Sequence, residues 1–281
     1  MISRRNFLLG GAGLVAAGGV GVAVVGPRRV GYELGLVHSP DHRVPASGRE
    51  VQQFTLLSAH MPDPVGWAIC VPPAPPVGVV LCLHGRNGDH TAAFEKIFLH
   101  DIVADLDLPL AIIGVDGGDS SYWHPRADGR NPMAMVFEEL FPAVETLLGA
   151  TLPRAVLGWS MGGYGALLFA EQHRDWFRAA VAASPALWRT SGAAADGAFD
   201  DEADFDRHDV FAGIDQLSLL RVRVDCGTDD TFVDTARAFG ELVPSGNHGS
   251  FGDGFHDDEY WRSLAPGQLL FINQAFTQPS G

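Results

Sequence analysis

The sequence has 281 residues, 46% of them hydrophobic, which suits a single α/β domain with a large core. Its formal net charge of −15 argues against nucleic acid or another polyanion as a partner. The three cysteines lie in apolar segments and cannot all pair, so a disulfide framework is not expected: they are Cys70, Cys82 and Cys226.

The first thirty residues are predicted to lie outside the folded domain, as a signal or anchor segment. Arg4 and Arg5 precede an apolar segment at residues 7–26, a pattern that resembles a twin-arginine export signal. Seven glycines in that segment disfavour a stable helix, which favours a signal peptide. We therefore expect export to the cell envelope or the medium by the twin-arginine machinery. The alternative is an uncleaved segment that holds the protein at a membrane.

A linker is predicted at residues 31–48 and a catalytic domain at 49–281. Seven apolar segments of the domain are predicted as strands: 51–57, 65–71, 77–83, 110–115, 154–157, 179–183 and 220–226. Helical patterns fall between them at about 91–106, 134–148, 161–173 and 231–242, with a further amphipathic helix at the C-terminus. This alternation predicts an α/β fold with a mostly parallel, doubly wound sheet and helices on both faces.

One long insertion, residues 184–219, precedes the penultimate strand of the predicted fold and is rich in aspartate. It has two readings that the sequence leaves open. Acidic segments are often solvated surface excursions. Loops of this length in compact domains are often functional, so the insertion is alternatively a partial lid with Trp188 and Phe199 facing a substrate.

The segment G-W-S-M-G at residues 158–162 lies between an apolar strand and a helical pattern. In that setting G-x-S-x-G forms a sharp turn that presents a nucleophilic serine, here Ser160. The glycines on either side are needed because neighbouring backbone segments approach closely. The N-terminus of the following helix directs its positive dipole end toward a developing oxyanion.

A nucleophilic serine needs a histidine to accept its proton and a carboxylate to orient the histidine. In parallel-sheet hydrolases the acid and then the histidine follow the serine along the chain. Asp225 lies at the end of the last predicted strand, and Asp229 and Asp230 lie in the loop after it, where either is alternatively a cap for the next helix. His256 is preferred as the base, with His248 second.

Two backbone N–H groups are needed to bind the oxyanion. One is predicted at Met161, directly after the serine, and the other at Arg86 in the loop after the third strand, with Asn87 as the alternative. His84 precedes Ser160, which is the wrong order for the base of this fold, and is expected to shape that loop.

Four segments together resemble the esterase D-like family of α/β-hydrolases: E-L-F-P at 139–142, G-W-S-M-G-G-Y-G-A at 158–166, D-C-G-T-D-D-T-F at 225–232 and G-F-H-D-D-E-Y-W at 254–261. That family includes carboxylesterases, feruloyl esterases, S-formylglutathione hydrolases and mycolyltransferases. The resemblance implies an α/β-hydrolase fold and selects Asp230 as the triad acid.

The expected protein is thus an exported serine carboxylesterase that needs no cofactor or metal. Its substrate is a small-molecule, lipid or sugar ester, and relatives place substrate contacts near Trp123, which alternatively only packs against a helix. An acyltransferase with the same triad is one alternative function. A non-catalytic envelope protein that binds a ligand in its cleft is another.

Overall fold

The computed structural model describes residues 26–278, which fall into two compact units. The first unit reaches Ser39 and contains the short helix α1, Pro27–Glu33. The predicted twin-arginine motif lies outside the described residues. Within residues 26–278, no helix is both long and apolar enough to cross a membrane.

The second unit, from Pro40 onward, is built on one eight-stranded sheet. Its strands are β1 (Gln52–Leu56), β2 (Val65–Cys70), β3 (Gly78–Leu83), β4 (Leu110–Val115), β5 (Arg154–Trp159), β6 (Ala179–Ala183), β7 (Arg221–Gly227) and β8 (Phe251–Gly252). Their order is β1-β2-β4-β3-β5-β6-β7-β8, and β2 is antiparallel to both neighbours while the rest are parallel. The predicted α/β-hydrolase sheet is confirmed, and all seven predicted strands are present.

The helices after α1 are α2 (Ala92–Glu95), α3 (Leu99–Asp105), α4 (Pro132–Ala134), α5 (Phe141–Leu148), α6 (Met161–Gln172), α7 (Glu202–Arg207), α8 (Val233–Leu242) and α9 (Asp258–Thr277). The helix predicted at 91–106 is divided, because Phe98 adopts a left-handed conformation with φ of 57°. A π-helical segment, Met135–Leu140, joins α4 to α5. Pro142 follows it and has no N–H to donate to Glu138, so an α-helical bond cannot form there.

Each face of the sheet has its own hydrophobic core, as expected for a doubly wound fold. Leu81 and Leu83 point to the face covered by α5, α6 and α8, whereas Val80 and Cys82 point to the face covered by α3 and α9. All three cysteines are free and buried in these cores. The alternation of side chains along β3 explains why its whole length is apolar.

Residues 40–48, predicted as linker, are part of the second unit. The carboxylate of Asp41 accepts hydrogen bonds from Arg262 in α9, with Nε to Oδ1 at 2.6 Å. Burial alone would raise the pKa of Asp41, but hydrogen bonds from Arg262 and Arg43 lower it to about 2. The backbone N–H of Ser47 donates to Asp101 in α3. The compact unit therefore begins at Pro40, before the start that was predicted at residue 49.

The acidic insertion before β7 is ordered rather than simply solvated. It contains α7 and two 3₁₀ turns, Ser191–Ala193 and Ile214–Leu219. Asp200 forms two hydrogen bonds with the guanidinium of Arg126, and Asp204 is 1% exposed. The carboxylate of Asp200 therefore anchors the insertion to the loop that follows β4.

Candidate active site

Ser160 lies in a strained turn between β5 and α6. Its φ of 56° and ψ of −119° are unusual for a residue with a side chain. A Cβ on Gly158 would collide with the backbone of Gly162, and a Cβ on Gly162 would collide with the carbonyl of Leu83. The two glycines therefore permit the close approach that holds the serine at the carboxyl end of the sheet.

Three predicted side chains form a continuous row of hydrogen bonds. Nε2 of His256 lies 2.8 Å from the hydroxyl of Ser160, and Nδ1 of the same ring lies 2.8 Å from Oδ2 of Asp230. Because an ionised carboxylate can only accept, Nδ1 carries the proton and the Nε2 lone pair faces the serine. This tautomer lets the ring accept the serine proton.

Asp230 is held in place by its own loop after β7. Its Oδ1 accepts the backbone N–H of Phe232 at 2.9 Å, and the side chain is 4% exposed. Cys226 lies beside it, and burial, followed by the nearby Asp230, raises the pKa of its thiol. The structure thus brings together Asp230, which the family resemblance selected, and His256.

The competing acids and the competing histidine lie elsewhere. Asp225 is fully buried and is engaged by Arg223, Ser250 and Gln268. The backbone N–H of Asp229 donates to Gly254, and the contact with the His256 ring is made by Asp230 instead. His248 donates its backbone N–H to Val222, near the start of β7 and so at the opposite end of that strand.

Two backbone amides remain as oxyanion donors. Met161 is the first residue of α6, so its N–H has no acceptor one turn earlier in that helix. In the loop after β3, Asn87 donates its N–H to Asp119 and Gly88 donates to Gly85. These bonds remove the alternative at Asn87 and leave the Arg86 amide as the second candidate.

His84 and Trp123 stabilise the same loop. Nε2 of His84 accepts the N–H of Gly117 at 3.0 Å, so its Nδ1 carries the proton and donates to the carbonyl of Gly85. The indole N–H of Trp123 donates to the carbonyl of His84, and its side chain is 0% exposed. Of the two readings of Trp123 that the sequence left open, substrate contact and packing, this enclosure favours packing.

A series of aromatic contacts connects the insertion to His256. The ring centre of Trp188 lies 5.7 Å from that of Phe232, which lies 5.4 Å from the His256 ring. Trp188 also contacts Phe199 and Tyr122. Trp188 and Phe199 are both partly exposed, so the Trp188 side chain is accessible to a substrate.

A cavity of about 320 Å³ opens directly on Ser160 and His256. The other residues that line it are Gly85, Arg86, Gly88, Ala92, Lys96, Trp159, Asp258 and Trp261. Trp261 packs edge-on against the His256 ring, with centres 5.1 Å apart. Sequence reasoning assigned no role to Lys96, Trp159 or Asp258, although Trp159 and Asp258 lie within two of the quoted motifs.

Among residues 26–278, one group of side chains has the composition of a metal site: His124, Asp204 and His208. The two imidazoles are stacked 4.4 Å apart at 26°, so their lone pairs lie in separate, nearly parallel planes, a poor arrangement for binding one ion between them. Both ring nitrogens of His124 also contact backbone carbonyls, of Pro125 and Ala198. The group does not fit a metal ion, and instead joins the insertion to the loop after β4.

Comparisons with known proteins identify the family of the chain. Residues 58–272 match the sequence model of the Esterase family, described as "Putative esterase". No curated protein sequence matches the chain significantly.

Solved structures share the fold at low sequence identity. A ferulic acid esterase is 21% identical with a TM-score of 0.72, over 80% of this chain and 98% of its own. The S-formylglutathione hydrolase of Agrobacterium tumefaciens is 19% identical with a TM-score of 0.71, over 83% and 98%. FphF, a fluorophosphonate-binding serine hydrolase of Staphylococcus aureus, is 18% identical with a TM-score of 0.67, over 80% and 98%. The chain belongs to the Esterase family, in the esterase D-like group of α/β-hydrolases, and is an enzyme that acts on esters.

Proposed function

We propose that the protein is an exported serine carboxylesterase with Ser160, His256 and Asp230 as its catalytic triad. The observation that carries the proposal is the pair of 2.8 Å contacts that the His256 ring makes, one to Ser160 and one to Asp230. Export is supported by the sequence alone, through Arg4 and Arg5 ahead of an apolar segment.

In the first half of the reaction, Oγ of Ser160 attacks the ester carbonyl while Nε2 of His256 takes its proton. Asp230 stabilises the imidazolium that forms. The amides of Met161 and Arg86 donate hydrogen bonds to the negatively charged oxygen of the tetrahedral intermediate. The alcohol then leaves with the proton from His256, which forms an acyl-enzyme on Ser160.

In the second half, His256 removes a proton from water and the hydroxide attacks the acyl-enzyme. The carboxylic acid leaves and Ser160 regains its proton from His256. Hydrolysis is favoured over acyl transfer because a cavity of about 320 Å³ is at the lower end of the range for ligand sites and suits a small group. Product analysis with an added sugar or alcohol acceptor separates the two reactions.

The test is replacement of Ser160 by alanine. We expect S160A to remain folded, to lose roughly three or more orders of magnitude in kcat for a short 4-nitrophenyl ester, and to resist a fluorophosphonate probe. Ser218→Ala removes an exposed hydroxyl in the 3₁₀ turn before β7 and is the matched control, expected to behave as the wild type. Labelling or full hydrolysis by S160A would overturn the proposal. Failure of the probe to label Ser160 in the wild type would instead support a non-catalytic role for the cleft.

A further inference from the structure

The cavity beside Ser160 is positively charged within an acidic protein. Its lining contains two cationic side chains, Arg86 and Lys96, and one carboxylate, Asp258. The chain as a whole has a formal net charge of −15. A net positive lining is therefore a local reversal of the overall charge, and it would raise the local concentration of an anion.

Lys96 is the only lysine in the sequence, and the other 18 of its 19 lysine and arginine residues are arginines. Several arginines of the same unit are committed to carboxylates, including Arg126, Arg154, Arg223 and Arg262. In contrast, within residues 26–278 no carboxylate lies within 4.0 Å of the Lys96 amine or the Arg86 guanidinium. Both cations remain available to a ligand.

The backbone of Lys96 is fixed although its amine is unpaired. Its N–H donates to Ala92, and its carbonyl accepts a hydrogen bond from Arg262 at 2.8 Å. Arg262 is held in turn by Asp41. Because the anchor of the side chain is already ordered, an anion that binds the amine orders only the side chain itself.

We propose that this cavity is a subsite for an anionic group, so that the enzyme prefers esters that carry a carboxylate or phosphate on the part of the molecule lying against Lys96 and Arg86. The inference rests on the proposed function of Ser160. Lys96 pairs with the anion and determines specificity, and the Arg86 side chain adds a second positive charge. The walls formed by Trp159 and Trp261 limit the bound group to a small one.

The experiment compares matched esters that differ by one charge. For the acyl side we would use the mono-4-nitrophenyl ester of adipic acid and its terminal carboxamide. For the alcohol side we would use the acetate esters of 4-hydroxybenzoate and 4-hydroxybenzamide. The readout is the ratio of kcat/KM for the anionic ester to that for the neutral ester, measured at low salt for each pair.

We expect one pair to favour the anion about three- to tenfold in the wild type, mainly through KM. The ratio should fall toward one in Lys96→Met and at about 0.5 M salt, and should persist in Lys96→Arg. Arg178→Gln removes an exposed arginine near the start of β6 and should keep the wild-type ratio. The pair of esters that shows the preference tells whether the subsite binds an anionic group on the acyl part or on the alcohol part of the substrate.

A wild-type ratio of one or below for both pairs would overturn the proposal, as would a ratio that Lys96→Met leaves unchanged. If the proposed esterase function itself is wrong, the result is different. In that case Ser160→Ala would not reduce hydrolysis of either the neutral or the anionic ester. The salt series on the wild type tests the charge effect even if a variant folds poorly.

Discussion

Nε2 of His256 lies 2.8 Å from the hydroxyl of Ser160 across a sequence separation of 96 residues. Parallel strands bring these residues together. Trp159, at the end of β5, pairs with Ala183 of β6, which pairs with Asp225 of β7. The loops after β5 and β7 therefore leave the sheet at the same edge, and the loop before α9 returns His256 to it.

Asp230→Asn is expected to lower kcat by roughly 10²–10⁴-fold with little change in stability. The amide NH₂ of asparagine can face Nδ1 of His256, which would then present a protonated Nε2 to Ser160. Steady-state kinetics on a 4-nitrophenyl ester, with circular dichroism for folding, measure the effect. The 2.8 Å contact with Nδ1 of His256 is made by Asp230, so Asp229→Asn, which changes the neighbouring residue, should retain most activity. Equal losses in both variants would contradict the assignment of Asp230.

The sheet and the turn at Ser160 could be predicted because their signals are local, whereas the residues alone left the acid open among Asp225, Asp229 and Asp230 until the family resemblance selected Asp230. Apolar strands covered on both faces are continuous in sequence, and the turn at Ser160 requires glycine on both sides. The strand β8 could not be predicted, because it has two residues and follows glycine-rich sequence. Helix α7 was missed because its acidic sequence resembles a solvated loop, and only the fold reveals Arg126 as the partner of Asp200.

Gly162→Ala is expected to destabilise the protein by about 3 kcal/mol or more, because the added methyl group would meet the carbonyls of Leu83 and His84. These are backbone atoms and cannot rotate away. Urea unfolding or, where the variant is insoluble, the yield of folded protein measures the effect. Gly192→Ala is the control, since a Cβ there meets nothing within 4 Å and should change stability by less than about 0.5 kcal/mol. Wild-type stability in Gly162→Ala would show that the turn is less tightly packed than the structure indicates.

Trp123→Phe is expected to lower the free energy of unfolding by about 1–3 kcal/mol, through a small cavity and the lost hydrogen bond to His84. The preference of the variant among esters of different acyl length should be the same as in the wild type, because the Trp123 ring does not reach the cavity. Trp188→Phe provides the contrast, since Trp188 is partly exposed beside Phe232. A changed acyl preference in Trp123→Phe with unchanged stability would restore the substrate contact expected from the sequence.

The difference between these two tryptophans explains why substrate contacts could not be read from the sequence. Both follow a strand and both lie in aromatic surroundings, but small neighbours surround only Trp123. Gly117 and Gly165 leave room for its indole, and a Cβ on either would touch that ring. Such complementarity between distant positions appears only when the chain is folded. The lining of the active-site cavity is likewise assembled from separate loops and helix ends.

Glu171 gives a pH-dependent prediction because it is a buried acid in α6 without full hydrogen bonding. Its side chain is 7% exposed, and within the described part of the chain its Oε1 has no partner. Burial, followed by the nearby Asp209, raises the pKa of Glu171 to about 9. The folded protein thus keeps a proton that the unfolded chain loses above about pH 4.5. The contribution of Glu171 to stability is fully present below that pH and is lost progressively as the pH rises toward 9.

Glu171→Gln removes this ionisation and should make the protein more stable than the wild type at pH 8, by on the order of 2 kcal/mol, but not at pH 4.5. Urea unfolding of the wild type and the variant across this pH range measures the difference in their free energies of unfolding. The effects of the other titrating groups cancel in that difference. Glu241→Gln replaces an exposed glutamate in α8 and should give a difference that does not vary with pH. If the stability difference for Glu171→Gln were equally flat, the Glu171 carboxyl would be ionised in the folded protein and reached by solvent.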